Sequence, residues 1–249
     1  MARNLTYFAS DVHLGLDYKY PARREERFVA FLRSIPAAQT EALYLLGDIW
    51  DFWYEYDDVV PRGYVRVLAA LTALIDDGVK VYFFPGNHDI WTYSYFESLG
   101  MVKLQQPHFV TIAGKRFCLG HGDGLGKGMY GYKFLQWIFH NRVLQKLFST
   151  LHPHLAFSLG KRWSRGSRLA KGETYRFQGP EEPLYQYVDK MKERADYYIF
   201  GHYHSHYEAN LPHGGRLLLT RDWMDRSNWY VFDGETVTYV EQKDPRFVR

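Results

Sequence analysis

The chain has a single cysteine, no long apolar run and only a small net charge. Cys118 lies in an apolar segment and cannot form an internal disulfide, so we expect a buried thiol in a reducing compartment such as the cytoplasm. The first residues contain no apolar signal segment, and no stretch of about 18 apolar residues is present to span a bilayer. The net charge of +3 argues against a dedicated nucleic-acid-binding protein.

Two motifs of common hydrolases are also missing. The chain has no glycine-rich phosphate loop of the Walker type and no Gly-x-Ser-x-Gly turn, which excludes the usual P-loop and serine-hydrolase centres. What the chain does have is 249 residues, of which 46% are hydrophobic and 18% aromatic. This composition predicts one large globular domain over residues 1–249 with a substantial core.

The spacing of apolar residues predicts an α/β fold. Short apolar runs predict strands, and amphipathic segments between them predict helices. The alternation of strand and helix favours right-handed crossovers and a largely parallel sheet in the first part of the chain, with hairpins later. The predicted elements are strands 5–10, 42–46 and 79–84, helices 21–35 and 62–76, a hairpin of 110–113 with 116–119, a strand 197–200, and a hairpin of 229–232 with 236–240.

Residues 125 to about 195 differ in character and predict an inserted helical cap. Several glycines precede a segment in which five of the six residues 134–139 are apolar, which is wider than a single core-facing stripe. A basic stretch that includes Arg168 and Lys171 follows. Two interpretations remain open: an ordinary packed helical pair with a solvated basic tail, or a groove for an apolar, anionic substrate that also touches a membrane surface.

Five short motifs rich in aspartate and histidine each follow an apolar run. Ligand groups gather at the carboxyl ends of strands in an open α/β sheet, so we expect these sequence-distant residues to converge. Oxygen and imidazole groups without a thiolate suit a pair of divalent ions, with Mn²⁺ favoured and Fe²⁺ or Zn²⁺ as alternatives. The motifs are Asp11-x-His13, Gly47-Asp48-x-x-Asp51, Gly86-Asn87-His88-Asp89, His121-Gly122-Asp123 and Gly201-His202-x-His204.

The position of Asp48 between two candidate ligand sets predicts a shared carboxylate. Such a bridge holds two ions roughly 3.5–4 Å apart, and the pair activates water for attack on phosphorus. The constellation therefore predicts a two-metal phosphoesterase that needs no covalent enzyme intermediate.

The order and spacing of these motifs resemble the calcineurin-like metallophosphoesterase superfamily. The resemblance covers both ends of the chain and leaves out the cap. It implies a sandwich of two sheets flanked by helices, an α/β/β/α architecture, and it implies that His88 is the general acid or stabilises the transition state, oriented by Asp89. The implied metal ligands are Asp11, His13, Asp48 and His204 for one ion, and Asp48, Asn87, His121 and His202 for the other.

Within that superfamily the chain is similar to the UDP-2,3-diacylglucosamine pyrophosphatases of lipid A biosynthesis. The similarity lies in residues 11–14, 47–53 and 121–125 and in the size and position of the cap. It implies a peripheral protein on the inner face of the cytoplasmic membrane that cleaves an acylated sugar nucleotide to UMP and a lipid monophosphate. In the cap, the similarity implies substrate contacts by Ser164, Arg168 and Lys171, and the apolar segment predicts a groove formed by Phe134, Trp137 and Ile138.

Two other functions remain open. A phosphoesterase for a soluble nucleotide or another phosphoester would make no use of exposed apolar aromatics in the cap. A non-catalytic scaffold would be marked by lost metal ligands, whereas all seven predicted ligand positions are filled. A DNA nuclease is disfavoured by the small net charge.

Overall fold

A computed structural model describes residues 3–171 and 175–243 of the chain, and the side chains of 165 and 167–171 are not part of that description. Within these residues the chain forms eleven strands. Their bounds are β1 Leu5–Ala9, β2 Thr40–Leu45, β3 Lys80–Phe83, β4 Val102–Lys103, β5 His108–Ile112, β6 Lys115–Gly120, β7 Tyr197–Phe200, β8 Tyr207–Asn210, β9 Arg216–Leu219, β10 Arg226–Phe232 and β11 Val237–Lys243.

The strands form two sheets with parallel centres. The first sheet has the order β11-β10-β1-β2-β3-β4, in which β1 to β4 are parallel, β10 is antiparallel to β1, and β11 is antiparallel to β10. The second has the order β5-β6-β7-β9-β8, with β6, β7 and β9 parallel and an antiparallel strand at each edge. The carboxyl ends of the parallel strands therefore meet at one edge of each sheet.

Helices cover the outer faces of both sheets. Phe28 of the first helix and Leu71 of the second pack with Leu43 in one buried cluster on the first sheet. A second cluster, which includes Phe8 and Phe117, fills the space between the sheets. The described helices are α1 Pro21–Ser34, α2 Val65–Asp76, α3 Tyr95–Ser98, α4 Tyr130–His140, α5 Arg142–Ser149, α6 Pro153–Lys171 and α7 Pro183–Asp189. The predicted α/β/β/α sandwich is confirmed.

Helices α4, α5 and α6, which make up most of the predicted cap segment, rest on aromatic residues beside the metal motifs. Trp91 packs against Phe139 of α4 and Phe148 of α5, and its indole N–H donates to the Phe139 carbonyl at 2.9 Å. The Tyr54 hydroxyl donates to the carbonyl of Gln145 in α5 at 2.8 Å. These contacts attach the cap to the loops that follow β2 and β3.

The second sheet, and not the cap, carries helix α7. Leu184 and Val188 of this helix are buried in a cluster with Phe200 and Leu219 of the sheet. The prediction that the cap extends to about residue 195 is therefore wrong in its last part, because the apolar face of α7 completes the outer layer of the sandwich. Within the described residues no helix has the length and apolar character needed to cross a membrane.

Candidate metal centre

The predicted ligands converge from the carboxyl ends of parallel strands in both sheets. Asp11, Asp48 and Asn87 follow β1, β2 and β3 of the first sheet, while His121 follows β6 and His202 follows β7 of the second. The two edges face each other, so residues almost two hundred positions apart become neighbours, with His202 N–H donating to the Asp11 carboxylate. This is the convergence that the sequence predicts.

One cluster contains Asp11, His13, Asp48 and His204. The Nε2 atoms of His13 and His204 lie 3.2 Å apart. Nε2 of His204 lies 3.3 Å from Oδ1 of Asp11, and Nε2 of His13 lies 3.8 Å from Oδ2 of Asp48. Two imidazoles and two carboxylates thus point ligand atoms at one small volume.

The second cluster shares Asp48 with the first and adds His121 and His202. Oδ2 of Asp48 lies 3.3 Å from Nε2 of His121. Oδ1 of Asn87 lies 2.9 Å from Nδ1 of His202 and 3.3 Å from Nε2 of His121, which brings the amide into the same cluster. Oδ2 of Asp48 is therefore the atom that faces both clusters, as a bridging ligand would.

The hydrogen-bonding environment of these ligands fits two divalent ions. Nδ1 of His121 lies 2.9 Å from the Leu46 carbonyl, and that of His204 lies 3.4 Å from Asp222. An acceptor at Nδ1 holds the proton there and leaves the Nε2 lone pair for a metal. Within the described residues, Oδ2 of Asp48 is buried without a hydrogen-bond donor in acceptable geometry, as expected of an atom that binds metal.

Asp222 is a residue that sequence reasoning missed. It follows β9 of the second sheet, in the same position relative to its strand as the recognised motifs, and its carboxylate faces Nδ1 of His204. The apolar run of β9 spans only Leu217–Leu219, which is too short to mark a strand by periodicity. A carboxylate behind a ligand histidine fixes its ring and raises its basicity.

The electrostatics of the centre favour cations. Burial by itself raises the pKa of Asp48, but His121, His88 and His13 hold it well below its usual range. Burial lowers the pKa of His121, yet Asp48 and the neighbouring carboxylates raise it to about 10. The same balance of burial against Asp11 and Asp222 raises the pKa of His204. A raised pKa of these imidazoles means that divalent ions compete with protons for them.

The ligand loops adopt backbone conformations that are rare for residues with side chains. Left-handed φ values in non-glycine residues cost about 1–3 kcal/mol each and occur where function requires them. The neighbouring motif glycines are needed for close approach, because a Cβ on Gly86 would collide with Asp48 and one on Gly201 with Asp11. The ligands with positive φ are Asp11 at 53°, His13 at 50°, Asp48 at 52°, His202 at 69° and His204 at 53°.

His88 lies beside the clusters, and Asp51 rather than Asp89 orients it. Nδ1 of His88 lies 3.0 Å from the Asp51 carbonyl oxygen, and the side chain is 12% exposed. Asp89 is fully buried and accepts four backbone N–H groups, those of Asp48, Ile49, Trp50 and Gly86, at 2.7–3.2 Å. The prediction that Asp89 orients His88 is wrong, because the Asp89 side chain turns inward to hold the two motif loops together.

The predicted substrate residues of the cap fall in three different environments. Ser164 is 2% exposed, and its hydroxyl donates to Oδ2 of Asp51 at 2.7 Å, which links α6 to the metal centre. Phe134 and Trp137 are 63% and 59% exposed and stack on each other on the outside of α4, while Ile138 is half-buried. The side chains of Arg168 and Lys171 lie outside the described part of the structure.

The groove predicted from Phe134, Trp137 and Ile138 is therefore not enclosed. A small apolar pocket opens instead beside His88, between the motif loops and the inner face of the cap. Periodicity does not single out Phe139 for this pocket, since apolar residues cover almost the whole circumference of α4. The pocket is lined by Phe52, Ile90, Trp91, Phe139 and Trp163.

A sequence profile of the calcineurin-like phosphoesterases matches residues 6–206. The chain belongs to this family. The match spans every motif of the two clusters, so the family predicted from those motifs is confirmed. This calcineurin-like phosphoesterase is a hydrolase, and its clustered ligands are those of divalent metal ions.

Relatives of this phosphoesterase extend over most of its length. It is 33% identical to the UDP-2,3-diacylglucosamine hydrolase of Porphyromonas gingivalis over 261 residues, which cover 97% of this chain and 99% of that protein. It is 30% identical to the UDP-2,3-diacylglucosamine hydrolase of Salmonella typhimurium over 203 residues, covering 80% and 81% of the two chains. A dimetal phosphatase from Danio rerio aligns with a TM-score of 0.46 at 13% identity, over 95% and 98% of the chains.

Proposed function

We propose that this phosphoesterase hydrolyses the diphosphate of UDP-2,3-diacylglucosamine and releases UMP and a lipid monophosphate, a step of lipid A biosynthesis. Two observations support the proposal: the clustered ligand groups suit hydrolysis of a phosphoester, and apolar side chains of the cap, Phe139 and Trp163, lie beside His88. The Porphyromonas gingivalis relative, which acts on this substrate by its name, aligns over 97% of the chain, including the cap.

The chain's own residues have separate tasks in this reaction. Two divalent ions, Mn²⁺ in our proposal, supply Lewis acidity and lower the pKa of a bound water. Oδ2 of Asp48 would be the ligand shared by the two ions, because it faces both ligand clusters. The Asp51 carbonyl accepts the Nδ1–H of His88 in either protonation state of the ring, so Nε2 is the nitrogen that carries the mobile proton.

We further propose that the outer face of the cap rests on the cytoplasmic leaflet of the membrane. Exposed apolar patches of this kind mark interaction surfaces, and amphipathic helices bury such faces in the lipid boundary. Exposed basic residues of the same helices, such as Lys133 and Arg142, suit anionic headgroups. The exposed apolar residues of α4, α5 and α6 that we propose for this contact include Tyr130, Phe134, Trp137, Val143, Leu147, Leu155 and Leu159.

Turnover of matched substrates tests the reaction. With Mn²⁺, we expect the protein to convert UDP-2,3-diacylglucosamine in detergent micelles to UMP and a lipid monophosphate. Mass spectrometry of products formed in ¹⁸O-labelled water measures the reaction. Each buried acyl methylene contributes ~0.8 kcal/mol, so kcat/KM should exceed that for UDP-N-acetylglucosamine, which carries no long acyl chain, by at least about 100-fold. Equal kcat/KM values for the two substrates would contradict the proposal and favour a soluble phosphoester substrate.

Vesicle binding tests the membrane proposal. The variant Phe134→Ser/Trp137→Ser should bind anionic phospholipid vesicles at least about 10-fold more weakly than the wild type in sedimentation assays, since burying a large apolar side chain contributes about 1.5–3 kcal/mol. Tyr20→Ser, which removes an exposed aromatic outside the cap, is the matched control. Equal binding by the wild type and both variants would show that the cap face does not contact lipid.

A further inference from the structure

Asp123 ends the motif His121-Gly122-Asp123 but belongs to neither metal cluster. Its side chain is only 5% exposed, and its carboxylate accepts three side-chain hydrogen bonds. The Tyr132 hydroxyl donates to Oδ2 at 2.9 Å and Gln136 Nε2 donates to the same oxygen at 2.5 Å, while Gln106 Nε2 donates to Oδ1 at 2.7 Å. Tyr132 and Gln136 are one turn apart on α4, so the carboxylate holds one face of that helix.

The same network is tied to the loop that carries a metal ligand. Oε1 of Gln106 accepts the N–H of Gly122, the residue directly after His121, at 2.6 Å. A Cβ on Gly124 would collide with the Gln136 side-chain amide, so a glycine at this position leaves room for the hydrogen bond from Gln136 to Asp123. On the other side, the Tyr132 ring lies 6.2 Å from the His202 ring. The position of α4 is therefore defined relative to both histidines of the second cluster.

Other forces that usually fix a helix are weak in the first turns of α4, whereas Phe139 near its end packs on Trp91. The described helix has no buried residue, and its N-cap residue, Met129, makes no side-chain capping hydrogen bond. Hydrogen bonds to a buried carboxylate are stronger than those between neutral groups and more directional than apolar contacts. The Asp123 network is thus the main directional contact between the first turns of α4 and the metal centre.

We propose that Asp123 is a positioning residue for hydrolysis, which fixes α4 over the second ligand cluster so that a substrate held by the cap reaches the metals in the correct position. The inference rests on the proposed function in one respect, namely that the cap binds the substrate. Asp123 acts through Tyr132 and Gln136 and does not itself touch the reacting atoms.

Amide hydrogen exchange and two substrates test this proposal on the metal-loaded, full-length protein. In Tyr132→Phe and Asp123→Asn, amides of α4 should exchange at least about 10-fold faster than in the wild type, because a bond to the carboxylate is lost. For Tyr132→Phe, kcat/KM for the diacylated substrate should fall about 10-fold, with hydrolysis of a small aryl phosphate and the metal content unchanged. The matched control is Tyr54→Phe, which removes a hydrogen bond to α5 and should leave α4 exchange as in the wild type.

Each contrary result has a separate meaning. Unchanged α4 exchange in both variants overturns the proposal, and so does an equal loss with both substrates. Loss of a metal ion from Asp123→Asn overturns it by assigning the residue to the metal site, and faster α4 exchange in Tyr54→Phe overturns it by showing general loosening of the cap. If the wild type leaves the diacylated substrate intact, the proposed function fails, whereas the exchange and metal measurements still decide the role of Asp123.

Discussion

Replacing Asp48 by alanine is expected to abolish hydrolysis and to lower the bound metal from two ions per chain toward one or none. Oδ2 of this residue faces His13 of one cluster and His121 of the other, so both sites lose a ligand in one change. Without the Asp48 carboxylate, the positive charge of the buried histidines around it is no longer offset by this group. Metal content after gel filtration and kcat with a small aryl phosphate measure the two effects.

Two further variants separate metal binding from loop structure. Oδ1 of Asp48 accepts the backbone N–H of His88 at 2.9 Å, and Asp48→Asn can keep that bond while it places an amide nitrogen at the Oδ2 position. We expect this variant to lose activity and metal as the alanine variant does. Asp58→Ala removes an exposed carboxylate ten residues after Asp48 and should change neither the activity nor the metal content. Turnover near the wild-type rate with both ions retained in Asp48→Ala would contradict the bridging role.

Periodicity predicts the elements of this fold where an apolar pattern is long enough to be distinctive. The predicted helix 21–35 and strand 42–46 differ by a residue or two from α1 and β2, and both late hairpins are present. Strands β4, β8 and β9 are two to four residues long and were not predicted. Such short strands take their conformation from the neighbour that they pair with, and the local sequence carries little of that information.

Residue type predicts which ligand-type side chains cluster, but it does not predict the contacts of the residues around them. Aspartate, asparagine and histidine can bind metal in any loop conformation that exposes their ligand atoms, so their residue type after successive strands is enough to predict them. The contacts of Asp89 depend on which way a side chain turns within a tight loop, and the role of Asp222 depends on a strand too short to recognise. The sequence of α4 does not show that Phe134 is exposed and Phe139 is packed. The contact between Phe139 and Trp91, which comes from a distant loop, determines which face of the helix is covered.

His88→Ala is expected to lower kcat about 10²–10⁴-fold, the loss typical of acid–base groups, while both metal ions stay bound. The backbone N–H of His88 holds Asp48 and survives the change, so the bridging carboxylate keeps its position. What is lost is the imidazole that Asp51 orients between the ligand clusters and the aromatic pocket. Steady-state kinetics at saturating substrate, with metal analysis of the same samples, measure both quantities.

The matched control for His88 is His140→Ala. His140 is an exposed histidine of the cap whose described hydrogen bond is to the Gln136 carbonyl of its own helix, and its loss should leave kcat within about twofold. His88 also lies close enough to His13 and Asp51 to form a third group of ligand-type atoms with them. Loss of an ion from His88→Ala would therefore reassign His88 as a metal ligand. Full metal content with a reduced kcat would place its action on the charge that develops at phosphorus in the transition state.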